Sequence, residues 1–189
     1  GSDFSYSNIG YSLLALIIEK VSGQTYEQYL CENLWKPSGM EVTGYSRPNF
    51  DTVLIAMGYG KNNTIWGKPT HKKWNGNVPY LHLLGNGGIL STTEDLFKWH
   101  ESLMTENILS KEAKYKLYHP LIRANENNNA IYAYGWDVSR TNRNTFRVWH
   151  NGTNNIFYAD VMRFIDEKTT LILMSNKTFR GTDQLNFEI

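Results

Sequence analysis

Tyr6 and Asn8 stand two residues apart with Ser7 between them, a spacing that in extended backbone sends a phenol and a carboxamide to the same side of the chain. The phenol can pass a proton when a neighbouring cation lowers its pKa from about 10, and the amide can donate to a carbonyl and accept from an N–H. The pair suits acyl transfer. A structural reading of the same residues has Ser7 or Asn8 capping the helix that follows and Tyr6 packing against it. Far along the chain lies its one His-x-Gly, in His150-Asn151-Gly152-Thr153. The glycine would let a substrate backbone lie close to a strand edge, and the Thr153 amide could donate to a developing oxyanion. His150 would supply the cation or proton relay that Tyr6 needs, although a histidine beside a glycine turn also has a purely structural reading.

The elements that must position these residues change texture along the chain. Ile9, Leu13, Leu14, Ile17, Ile18 and Val21 recur at helical spacing and stop at Gly23, which predicts a core helix directly after Asn8. Thr25 with Gln28 reads as a capping box opening a short helix that ends near Trp35, before Pro37. Residues 36–79 are rich in Gly, Asn, Pro and aromatics, a long irregular insertion of the kind that forms lids and binding walls. Gly85, Gly87 and Gly88 follow. No strand and crossover frame them and no lysine follows in place, so a close backbone approach explains them better than a phosphate loop. Thr92 and Asp95 read as a second capping box, before a helix carrying Leu96, Trp99, Leu103 and Met104; Ser110 opens another over 111–118, closed by Pro120, and 125–129 is a polar loop. From 130 the period becomes that of strands: 131–138, 145–149, 156–165 and 169–174 form an antiparallel meander, with the His150 motif between two of them. Helices and loops over 1–129 followed by sheet over 130–176 is an α+β order within one partial domain spanning 1–189.

Composition closes off several function classes. A hydrophobic content of 41% with 14% aromatic is ample for a core, while 19 basic against 18 acidic residues leaves no basic field for nucleic acid or anionic lipid. Cys31 is the single cysteine; it cannot form an internal disulfide and reads as a small buried apolar residue. No apolar run approaches the roughly 18 residues that span a bilayer, and the lack of a leader at Gly1-Ser2 carries no information on compartment. The five histidines show no ligand spacing, so neither a metal nor another cofactor is expected.

Read together and in order, Phe4-x-Tyr6-Ser7-Asn8-x-Gly10-Tyr11, Ile17-Ile18-Glu19-x-Val21-Ser22-Gly23, Gly39-Met40, Ala56-x-Gly58-Tyr59, Gly87-Gly88-x-x-Ser91-Thr92-x-Glu94-Asp95-Leu96 and His150-x-Gly152 form a pattern. It resembles the serine β-lactamase-related family, the branch holding class C β-lactamases, D-alanyl-D-alanine carboxypeptidases and related esterases, over about 4–176. The resemblance implies a β-lactamase/penicillin-binding-protein-like fold. It casts Tyr6 as the proton-transfer residue of a Tyr-x-Asn motif and Asn8 as the grip on the substrate amide. His150 and Gly152 fall on the family's Lys-Thr-Gly position, and the Thr153 amide becomes an oxyanion donor, worth on the order of 100-fold in rate. It further implies a small-molecule or peptide substrate, no cofactor, and a periplasmic, secreted or membrane-anchored protein. Histidine in place of lysine at 150 removes a fixed positive charge, which favours a peptidase or esterase over an enzyme gripping a penicillin carboxylate.

The family's nucleophile, the serine of Ser-x-x-Lys, precedes the Tyr-x-Asn motif. The one hydroxyl three before a lysine here is Thr70, ahead of Lys73, downstream of Tyr6 and inside the insertion. The expectation is therefore the C-terminal part of a longer enzyme, lacking its first strands and nucleophile helix, with an uncovered strand edge that promotes self-association. A second reading is a non-catalytic module, whose cleft walled by Trp66, Trp74, Tyr80 and Tyr132 recognises a cell-wall ligand or a protein.

Overall fold

The Ser7 side chain accepts from the Gly10 amide at 3.0 Å and so starts α1 (Asn8–Ser22). Gly23, at φ 71, ends it with a left-handed cap whose amide reaches the Glu19 carbonyl at 2.9 Å. The structure, a computed structural model, describes residues 4–45, 50–72, 82–119, 122–123 and 131–178. Trp74, Tyr80 and the loop at 125–129 lie outside them.

The expectation that the apolar stripe of α1 is a core face is corrected. Ile9, Leu13, Leu14, Ile17 and Val21 are all exposed, and the buried residues of the helix are Ser12 and Ala15. The reason is steric. Gly85, at φ 79, approaches so closely that a Cβ there would stand 2.5 Å from the Tyr11 carbonyl oxygen and 2.9 Å from Ala15 Cβ. Only the small-residue side of α1 can accept that approach, so its bulky side turns away. The glycine run thus provides the close backbone contact anticipated from the sequence.

Thr25 and Gln28 close the expected capping box on α2 (Tyr26–Leu30), which widens into a π-helical turn over Cys31–Trp35, the Lys36 amide reaching the Cys31 carbonyl at 3.0 Å. Leu30, Trp35, Met40, Tyr45 and Leu84 join Ala15 in the first core cluster, with Cys31 packed partly buried against it. The Tyr45 hydroxyl accepts from the Gly85 amide at 2.9 Å, tying the glycine turn to that cluster.

Thr92 caps α3 (Thr93–Met104), accepting from the Asp95 amide at 3.1 Å. The second capping box is not what Asp95 is for. Its buried carboxylate instead accepts from the Val42 amide at 2.8 Å, the Glu41 amide at 3.3 Å and the Thr43 hydroxyl at 2.8 Å, binding α3 to the chain entering the insertion. Ser110 caps α4 (Lys111–Tyr118) at 3.2 Å.

Within 36–79, β1 (Gly58–Tyr59) and β2 (Ile65–Gly67) pair as a small hairpin among 3-10 turns. The remaining strands are β3 (Ile122–Arg123), β4 (Ile131–Tyr132), β5 (Asp137–Arg140), β6 (Phe146–Thr153), β7 (Tyr158–Phe164) and β8 (Thr169–Ser175), consecutive neighbours in one antiparallel sheet. Two expectations shift here. The run 131–138 is two strands, because Gly135 at φ 78 turns the chain between them. The His150 motif lies within β6 rather than in a turn, paired residue by residue with β7 from His150 opposite Val161 to Thr153 opposite Tyr158.

Where α3 and α4 meet the sheet, Arg163 of β7 is fully buried, and among the described residues it forms no ion pair with a carboxylate. Its Nε donates to His100 Nδ1 at 3.0 Å, one terminal nitrogen donates to the Tyr118 hydroxyl, and its guanidinium lies 5.3 Å from the Tyr118 ring and 5.9 Å from that of Trp136. Aromatic faces and neutral acceptors compensate this buried cation.

Candidate active site

The cap at Ser7 holds the extended residues before α1 against the middle of β6. The Tyr6 and His150 rings come within 6.2 Å, centroid to centroid, at 34°. Tyr132 of β4 stands edge-on to Tyr6 at 6.0 Å and 83°, and its hydroxyl lies 3.0 Å from His150 Nε2. Phe4 packs against Tyr132 at 5.2 Å. Phe4, Tyr6, Tyr132, Asp137, His150 and Asn151 together line a cavity of about 360 Å³.

The other expected residues lie at its margins. Asn8 opens onto a neighbouring groove of about 570 Å³ shared with Ile9, Ser12, Leu13, Leu16, His82 and Asn86. In that groove the Asn86 amide donates to the Ser12 hydroxyl at 2.7 Å. Gly152 is exposed, and a Cβ built on it would meet nothing within 4 Å, so the space before it is open. Thr153 turns its hydroxyl into the β6–β7 connection, donating to the Phe157 carbonyl at 2.9 Å, which leaves its backbone as the part suited to an oxyanion role.

Burial raises the pKa of two phenols, those of Tyr132 and Tyr11. It pushes the pKa of Tyr132 strongly up, reinforced by Tyr11 and Tyr6, so this hydroxyl stays protonated at any physiological pH. Tyr11 is likewise raised by burial, against a hydrogen bond from Tyr132 that pulls the other way. The hydrogen bond between the Tyr132 hydroxyl and His150 Nε2, whose direction follows the imidazole tautomer, orients the ring. Asp137 is raised by burial, opposed by the charges of His150 and Arg147. Behind the site, Asp160 sits opposite Asn151 in the β6–β7 register and accepts from the Tyr158 hydroxyl at 3.1 Å, and burial raises it too.

The arrangement can move protons between a phenol and an imidazole at the edge of a cavity. Among the described residues no three His, Cys, Asp or Glu side chains gather as a metal site, and no helix is long and apolar enough to cross a membrane. Sequence reasoning named Tyr132 as a wall residue but missed its bond to His150, and it missed Asp137 and Tyr11 as site residues. No local signal marks them: they come from β4, β5 and the first helical turns, and only sheet register and helix packing bring them to His150.

The chain matches the family described as Beta-lactamase over residues 1–187. It is 32% identical over 178 residues to penicillin-binding protein 4* of Bacillus subtilis, covering 91% of this chain and 39% of that protein. It is 27% identical over 179 residues to protein flp of Staphylococcus aureus, covering 93% of this chain and 34% of that protein. Among solved structures, the octameric penicillin-binding protein homologue from Pyrococcus abyssi superposes with a TM-score of 0.78 at 26% identity, over 94% of this chain and 40% of that one. A class C beta-lactamase superposes with a TM-score of 0.75 at 19% identity, over 95% of this chain and 54% of that one, a likeness of fold. The chain thus spans 39% or less of the curated relatives named here. Its α+β fold is that of β-lactamases and penicillin-binding proteins, and the chain belongs to the beta-lactamase family.

Proposed function

We propose that this chain is the C-terminal part of a serine hydrolase that forms an acyl-enzyme with a peptidoglycan peptide, an ester or a β-lactam, its nucleophile lying on a segment outside these 189 residues. The observation that carries the reading is the convergence of Tyr6 and His150, from opposite ends of the chain, on one cavity at 6.2 Å. In this reading Tyr6 takes the proton of the attacking serine and returns it to the leaving group, and His150, held by Tyr132, stabilises the charge that forms. Asn8 grips the substrate amide, and the Thr153 amide, beside the open space at Gly152, donates to the oxyanion.

The exposed apolar face of α1 and the groove beside Asn8 form the surface on which a serine-bearing helix would lie. Histidine in place of a fixed cation favours peptide or ester substrates over penicillins. A periplasmic, secreted or membrane-anchored location belongs to the same proposal. The aromatic lining by Phe4, Tyr6 and Tyr132 favours one other reading, a non-catalytic module binding a cell-wall ligand or a protein.

The test is intact-mass analysis of this chain and of the full-length protein after incubation with a fluorescent penicillin and a fluorophosphonate. A covalent adduct on the full-length protein alone supports the hydrolase. No adduct on either, with both probes active on a control hydrolase, turns the assignment to the binding module.

A further inference from the structure

The lining of the cavity is chemically lopsided. Phe4, Tyr6 and Tyr132 supply three aromatic rings and Asp137 the one carboxylate, while neither lysine nor arginine is among the residues that form it. Among the described residues Asp137 has no ion-pair partner within 4 Å. The nearby Arg147 makes no ion pair with it, its Nε 3.3 Å from the Ser139 hydroxyl and its guanidinium 5.4 Å from the Trp149 ring, so its charge acts on Asp137 only from a distance. Asp137 is half-buried at the start of β5, held by its register opposite Tyr132 on one side and Trp149 on the other.

An unpaired carboxylate on a cavity wall, partly removed from water, attracts a cation more strongly than the same group at an open surface. Aromatic rings set at 52° and 83° to one another offer π-faces from different directions, the arrangement that stabilises an ammonium group. A carboxylate-bearing ligand entering the same space would meet Asp137 as a like charge, with no fixed cation in the lining to offset it.

We propose that Asp137, with the rings of Phe4, Tyr6 and Tyr132, makes this cavity select substrates carrying a protonated amine near the scissile carbonyl, and disfavour those carrying a carboxylate there. The inference rests on the cavity being the substrate site of the hydrolase described above. The ammonium sits on Asp137 and directs the carbonyl toward Tyr6 and His150. At about 360 Å³ the space suits an amino-acid amide or ester rather than a long peptide.

The measurement is isothermal titration calorimetry of the full-length protein at neutral pH with phenethylamine, which is cationic, and with its N-acetyl derivative, which is neutral. Phenethylamine is expected to bind about tenfold tighter. Asp137→Asn and Asp137→Ser should each abolish that preference, and Asp137→Glu should retain part of it. Equal affinity for the two compounds in the wild type, binding of neither, or a preference that survives in Asp137→Asn overturns the proposal. The wild-type comparison needs no variant to fold, and calorimetry needs no nucleophile. Failure to label with a fluorophosphonate therefore counts against the hydrolase, and the absence of an amine preference in the wild type counts against Asp137.

Discussion

The Tyr132 hydroxyl lies 3.0 Å from His150 Nε2, so a residue of β4 fixes the orientation of the imidazole that β6 presents. Tyr132 is itself held by Phe4 at 5.2 Å and by Tyr6 at 6.0 Å, which makes the two chain ends of the site mutually dependent. Tyr132→Phe keeps the ring packing and removes only the hydroxyl. Fluorophosphonate labelling of the full-length variant should slow about tenfold, whereas Tyr6→Phe should slow it about 100-fold or more, as the proposed role of Tyr6 as proton carrier requires. Equal effects of the two substitutions would remove the distinction between a positioning role and a catalytic one.

Gly85→Ala tests the contact that orients α1. The added Cβ would enter backbone rather than a movable side chain, 2.5 Å from the Tyr11 carbonyl oxygen, at a residue with φ 79. A cost of about 3 kcal/mol is expected, read as a thermal midpoint lower by several degrees. Gly87→Ala, where a Cβ meets nothing within 4 Å, is the control and should leave the midpoint within about one degree.

The His100–Arg163 contact predicts a pH dependence of stability. Burial first, and the Arg163 charge second, hold the pKa of His100 below its ordinary value of 6.5. The unfolded chain therefore binds this proton at higher pH than the folded one. The stabilising contribution is complete above 6.5 and is lost as pH falls below it toward the folded value. His100→Gln keeps an acceptor for Arg163 but does not titrate, and should cost about 1 kcal/mol at pH 8. Urea midpoints of the full-length proteins at pH 8 and pH 5.5 should show the wild-type advantage shrinking at the lower pH. A constant difference would mean that His100 carries no proton linkage.

The exposed face of α1 predicts how the isolated chain behaves. Ile9 and Val21 are 75% and 82% exposed, with Leu13, Leu14 and Ile17 between them also exposed, a continuous apolar stripe on one helix. We propose that the isolated 189-residue chain self-associates through this face more than through a strand edge. Sedimentation equilibrium should show dimers or larger species for the wild-type chain and a monomer for Leu13→Glu/Ile17→Glu. A wild-type monomer at tens of micromolar would refute this.

Much of the fold was legible because its signals are local. Ser7, Thr25, Thr92 and Ser110 each cap the helix anticipated from sequence, since a cap is written within four residues. The antiparallel meander after 130 was legible from β-branched and aromatic runs separated by turn residues. Errors arose where the outcome depended on a distant partner. Asp95 has the spacing of a capping box, yet backbone amides at 41 and 42 claim its carboxylate. The apolar stripe of α1 has the periodicity of a core face, yet Gly85 reaches the opposite side.

The sequence by itself determined the family, the order α then β, and Tyr6, Asn8, His150, Gly152 and Thr153 as candidate site residues, because motif spacing and hydrophobic period are properties of short segments. Tertiary structure alone decided that Tyr6 and His150 share one cavity, that Tyr132 orients the imidazole, and that Asp137 supplies the carboxylate of the cavity wall. The physical reason is that these relations follow from strand register and from the closest approach two backbones can make, and neither is encoded within any single stretch of the chain.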